Sequence, residues 1–214
     1  MPSTSTLIAF ALASIVLVVV PGPSVLFIVG RALAHGRRAA IQSVFGNLGG
    51  VLVLIAVVAV GLGPLAERSV VVYEVIKLAG AAYLVWLGVR TFRGRRELAA
   101  ALSTVAGEAS TTDRRFLRQG FLVGVTNPKA LVFFAAVLPQ FADPAKGSVP
   151  VQIVVLGVLF CVLATALDGC WGLAASAARS WFATSPARLA AVGGTGGLMI
   201  AGMGLGLAVT GRRD

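Results

Sequence analysis

The chain has 214 residues, of which 57% are hydrophobic and only 12% charged, about half the charged share of a soluble domain. That balance excludes a soluble globular protein and points to helices that cross a membrane. The net charge of +10 does not mark a nucleic-acid binder, because the basic residues gather in short loops beside apolar runs, as cytoplasmic membrane loops do.

The N-terminal MPSTSTLIAF has no basic n-region, and no small-residue cleavage site stands out after it, so it is expected to be a retained first span and not a removed signal peptide. That span is predicted at Leu7–Val29, and its interior holds Pro21-Gly22-Pro23. Each proline removes a backbone donor and clashes with the preceding turn, and glycine adds backbone freedom, so the helix is expected to break there. Spans two and three are predicted at Ile41–Gly63 and Val70–Phe92, each near the length of about twenty residues that crosses a bilayer. Glu74 and Lys77, near the outer end of span three, read as a helical i,i+3 pair.

The long polar connection RGRRELAAALSTVAGEASTTDRR follows, mixed in charge and rich in small residues. It divides the chain into a first half (1–92), a basic connection (93–118) and a second half (119–214). Span four, Gln119–Phe141, carries a second interruption, Gly124-Val125-Thr126-Asn127-Pro128-Lys129-Ala130. Asparagine is a preferred N-cap and proline suits the first helical position, so one helix should end before Asn127 and another begin at Pro128. Gly22 and Pro23 fit the same description more loosely. Spans five and six are predicted at Val151–Ala175 and Ala191–Thr210.

Matched interruptions in the first span of each half mark a transporter binding site, and three spans per half makes the halves inverted repeats. The predicted fold is therefore an all-α membrane protein of six transmembrane helices, two inverted three-helix repeats with helices one and four broken. Each break is expected eight residues, or about 12 Å, from the basic side. The half-helices beginning near Pro23 and Pro128 would offer partial positive charge and free N–H donors to an anion such as a carboxylate. The candidate substrate-binding residues are Pro21, Gly22, Pro23, Ser24, Asn127, Pro128, Lys129 and Asp168. A plain proline kink is the alternative for either break alone, and the matched pair weakens that alternative.

Lys129 follows the second break and can supplement a carboxylate site or snorkel to the interface. Asp168 is the acid deep inside a span, about 15 Å from the basic side. It can bind a substrate amine, carry protons as the coupling residue, or neutralise Lys129. His35 lies in a basic loop and reads as a surface histidine. Cys161 and Cys170, nine apart in one apolar run, match neither a redox nor a metal motif and read as core cysteines. Gly-x-x-x-Gly spacings at Gly46/Gly50, Gly120/Gly124, Gly193/Gly197 and Gly202/Gly206 suit close helix packing, within the chain or in a homodimer.

One side of the membrane receives Arg31, Arg37 and Arg38, the seven arginines from Arg90 to Arg118, and Arg179 and Arg188, twelve in all. The other receives Arg68, Lys146, Arg212 and Arg213. The excess places loops 30–40, 93–118 and 176–190 in the cytoplasm and both termini outside.

Three stretches resemble the lysine exporter family of amino-acid efflux proteins, also called the LysE/RhtB or homoserine/threonine resistance family. They are Pro21-Gly22-Pro23, KLAGAAYLVWLGVRTFR (Lys77 to Arg93) and GFLVGVTNPKALVFFAAVLPQF (Gly120 to Phe141). The resemblance covers most of the chain in length and order. It implies a bacterial inner-membrane exporter of amino acids or related zwitterions, driven by protons and without a cofactor. By position it implies functional roles for Pro21, Gly22, Pro23, Asn127, Pro128 and Lys129; Asp168 rests on burial and depth alone. Metal-ion efflux is the alternative, although one deep carboxylate and no histidine in the spans make a poor ligand set. A thiol-redox carrier would want closely spaced cysteines. No arrangement for enzymatic hydrolysis is present.

Overall fold

The computed structural model describes residues 1–62, 70–97, 113–178, 181 and 185–209. The middle of the long connection, 98–112, and Arg68, Arg179, Arg212 and Arg213 of the charge tally lie outside the described residues. Every regular element among the described residues is helical: α1 (Thr4–Val19), α2 (Pro23–Val57), α3 (Val70–Arg93), α4 (Asp113–Val125), α5 (Pro128–Val132), α6 (Val149–Ala177) and α7 (Pro186–Val209). A π-wound turn, Val58–Leu62, continues α2; another, Phe133–Val137, and a 3-10 turn at Leu138–Phe141 continue α5.

Among the described residues, five stretches are long and apolar enough to cross a membrane: Pro23–Gly61, Glu74–Arg93, Asp113–Phe141, Val149–Ala177 and Ala190–Val209. Thr4–Val19 is apolar but shorter. Many large apolar side chains face outward, Leu12, Val16, Val60, Val71 and Val162 among them, as lipid-facing surfaces require and water-facing ones avoid.

The first two predicted spans are divided differently from expectation. The break at Pro21–Pro23 separates α1 from α2, and α2 runs past Val29 to a sharp turn at Gly36, where φ is 81° and ψ −171°. Only glycine adopts that conformation freely. The chain folds back there. Ile28 and Ala40, twelve residues apart and so about 18 Å apart along a straight helix, both lie 3.1 Å from where a Cβ on Gly172 of α6 would sit. Likewise α4 begins at Asp113, ahead of the predicted Gln119, so the end of the polar connection is helical. About 20 Å of helix separates the first break from Gly36 and the second from Asp113. Gly36→Ala is expected to cost about 1–3 kcal/mol, read as a lower melting temperature in detergent; an unchanged value contradicts the strained turn.

Two of the glycine pairs meet each other. A Cβ at Gly46 or Gly50 of α2 would strike the backbone carbonyls of Leu117 or Phe121, and one at Gly120 or Gly124 of α4 would strike those of Ser43 or Asn47. The helices therefore touch backbone to backbone. Gly88 of α3 and Gly197 of α7 do the same in a second helix pair. A Cβ at Gly202 would meet nothing within 4 Å. The first two pairs thus pack helices within the chain, which removes them as support for a homodimer. Phe10, Phe133, Phe134, Phe141 and Phe160 join α1, the segment after α5 and α6 through ring contacts of 4.8 to 5.9 Å.

Candidate functional site: two helix breaks clasped together

At the first break α1 stops at Val19, and Val20 and Gly22 are both extended. Each precedes a proline, whose ring pushes the preceding residue out of the helical region. Pro23 then opens α2, with Gly22 as N-cap and no side-chain cap. At the second break Thr126 Oγ1 donates back to the Leu122 carbonyl at 2.6 Å. Asn127 caps α5 as expected, its Oδ1 accepting from the backbone N–H of Lys129 (3.1 Å) and Ala130 (3.4 Å). This corrects the expectation of free donors near Pro128, because the asparagine side chain already occupies them.

The two breaks touch. Asn127 Nδ2 donates to Ser24 Oγ at 3.1 Å. Lys129 Nζ donates to the Val20 carbonyl at 2.6 Å, so its ammonium caps the end of α1, where orphan carbonyls and the helix dipole are negative. Lys129 is only 6% exposed and does not snorkel. Its side chain lies across Gly22: a Cβ there would sit 3.0 Å from Lys129 Cδ and 3.3 Å from Nζ. Pro21 is covered from the other side, its carbonyl lying against Gly196 of α7. Pro21, Gly22, Asn127 and Lys129, which are buried, and Pro23, Ser24 and Pro128, which are partly buried, thus form one cluster where α1, α2, α4, α5 and α7 meet.

Asp168 of α6 belongs to a neighbouring group. It is 3% exposed and accepts from Asn47 Nδ2 of α2 at 3.1 Å. Asn47, Thr165 and Asp168 line a small cavity of about 10 Å³. Lys129 and Asp168 act on each other electrostatically, yet the ion pairs among the described residues do not join them. Asn47 was missed in the sequence. Its signal was a polar side chain inside an apolar span, flanked by glycines that bring a second helix close.

Other expectations resolve as follows. Glu74 and Lys77 form their i,i+3 ion pair at 2.8 Å, but Lys77 is buried and not at an open interface. His35 is half-buried, its ring edge-on to Phe116 at 5.0 Å, and not a solvent-facing surface residue. Arg31 lies over the same Phe116 ring, because the Gly36 turn sets the end of the first arm beside α4. Cys161 is buried, whereas Cys170 is exposed and so is not a core cysteine. No group of three or more His, Cys, Asp or Glu side chains that could hold a metal occurs among the described residues.

Residues 15–211 match the LysE type translocator family. An uncharacterized membrane protein of Vibrio cholerae is 34% identical over 94% of this chain and 95% of its own. The homoserine/homoserine lactone efflux protein of Salmonella typhimurium is 37% identical over 72% of this chain and 73% of its own. The threonine efflux protein of Escherichia coli is 30% identical over 64% of this chain and 67% of its own. No solved structure matches the chain. With the family matched across nearly its whole length, and the two proline breaks and the third-span motif inside the matched region, this chain belongs to the LysE type translocator family.

Proposed function

We propose that this protein is an inner-membrane secondary transporter, not an enzyme, that exports an amino acid or similar small zwitterion in exchange for protons. The names of the homoserine and threonine efflux relatives support the substrate class. Six crossings follow if α1 with the first arm of α2 forms one, the second arm forms another, and α3, α4 with α5, α6 and α7 form the rest. Packing of α3 on α7 and of α2 on α6 supports two inverted halves, since each contact pairs elements of corresponding position. The arginine excess supports both termini outside.

The observation that carries this reading is the clasp between the breaks: Lys129 on the Val20 carbonyl, and Asn127 on Ser24. A substrate carboxylate binds an ammonium more strongly than a neutral carbonyl does. It therefore displaces Val20 from Lys129 and meets the uncapped first turn of α2 near Ser24. The substrate amine is left to the Asp168 side. Opening the clasp frees α1 and the first arm of α2 from α5, which is the rocking of one half against the other that alternating access needs.

The test is resistance to a panel of amino acids, homoserine and threonine included, in cells expressing the protein. Wild type is expected to raise the tolerated concentration of at least one. Asn127→Ala, which removes the α5 cap and the Ser24 bond together, is expected to lose that resistance at equal membrane abundance. Undiminished resistance removes the second break from the mechanism.

A further inference from the structure

Resting on the exporter reading above, we propose that the cavity bounded by Asn47, Thr165 and Asp168 is the coupling-ion site, where one water delivers a proton to the Asp168 carboxylate and takes it away. The cavity, about 10 Å³, matches the space one water needs. Its other walls are Val44, Leu48, Val51, Ala164 and Cys161. Asn47 Nδ2 donates to Asp168 Oδ2, which fixes the amide orientation and leaves Asn47 Oδ1 over. That oxygen is buried and meets no donor among the described residues. In an apolar interior an unmet carbonyl costs about 1–3 kcal/mol. A water that donates to Asn47 Oδ1 and to the carboxylate, and accepts from the Thr165 hydroxyl, makes the three hydrogen bonds typical of buried water.

The proton step balances simply. A hydronium reaching the cavity gives one proton to the Asp168 carboxylate, leaving a neutral water and a carboxylic acid; the reverse step discharges it. Among the described residues the titratable group acting on Asp168 is Lys129 from α5; Cys161, of the same helix as Asp168, also lines the cavity. Asn47 carries the event onward. Protonation turns its charge-assisted bond into a weaker neutral one. Its backbone carbonyl lies against Gly124, three residues before Asn127, so movement of Asn47 reaches the clasp through α4. The coupling site thus adjoins the substrate site on its Asp168 side, and Asn47 links it to the clasp.

Infrared difference spectroscopy of the purified chain in proteoliposomes, stepped in pH, tests this without a substrate. A protonated-carboxyl band is expected to appear on acidification, identical in sodium and potassium salts, with an accompanying O–H stretch that shifts in heavy-oxygen water. Asp168→Asn should remove both bands. Thr165→Val should remove the water band and shift the carboxyl midpoint by about one pH unit, tenfold in proton affinity, the worth of one hydrogen bond. Thr165→Ser should restore both. Loss of the titrating band in wild type, a midpoint that moves with sodium, or a Thr165→Val spectrum like wild type each overturns the proposal. Threonine and homoserine flux in the same vesicles separates the two readings: intact bands without any flux contradict the exporter and leave the proton site standing.

Discussion

Lys129→Met is expected to reach the membrane and lose efflux by about tenfold to a hundredfold. The span comes from the worth of a hydrogen bond to a charged group, about 1.5–3 kcal/mol, at about 1.4 kcal/mol per decade. Methionine preserves the length and volume of the buried side chain that crosses Gly22. It removes the donor to the Val20 carbonyl and the positive charge proposed to receive the substrate carboxylate. Lys129→Arg should fail as well. The Lys129 stem already lies 3.0 Å from the Gly22 Cβ position, and a planar guanidinium is bulkier and more rigid than an ammonium. Gly22→Ala should reproduce part of the defect by pushing that stem aside. Transport by Lys129→Met at the wild-type rate would take the clasp out of the mechanism.

Gly124→Ala is expected to be among the most damaging single methyls at the described glycines. Its Cβ would fall against the Asn47 backbone carbonyl, and that of Gly50→Ala against the carbonyl of Phe121 and the amide of Val125. Neither obstacle is a side chain that can rotate away, so α2 and α4 must separate. Overpacking in a tight core costs about 1–3 kcal/mol, and separation also loses the dispersion contacts along both helices. The expected result is a sharp fall in folded protein recovered from membranes. Gly202→Ala, which meets nothing within 4 Å, should be recovered like wild type. Equal recovery of all three proteins would contradict backbone contact between α2 and α4.

Those two experiments separate what could be read from the residues from what could not. Pro21-Gly22-Pro23 and Asn127-Pro128 announced both breaks, because proline acts on its own turn and asparagine on the next two amides. These are local effects. The glycine pairs announced close packing, but not that Gly46/Gly50 would meet Gly120/Gly124, since partner choice depends on how the chain folds back. Gly36 looked like an ordinary loop residue; its positive φ becomes a requirement only once α2 must reverse there. Lys129 was recognised as unusual, yet its target is a backbone carbonyl, and a carbonyl carries no sequence signature. Asn47 was overlooked for a related reason: its importance lies in Asp168, 121 residues away. Local chemistry placed the candidate site, while its wiring came from tertiary contacts.

The central claim, that an amino acid is exported through a clasp formed by the two breaks, is tested most directly in inside-out vesicles with an imposed proton gradient, acidic inside. Labelled homoserine or threonine should accumulate in vesicles carrying wild-type protein, should not accumulate when the gradient is dissipated, and should not accumulate with Lys129→Met. Accumulation that is the same for Lys129→Met and wild type, or the same without the gradient, contradicts the account.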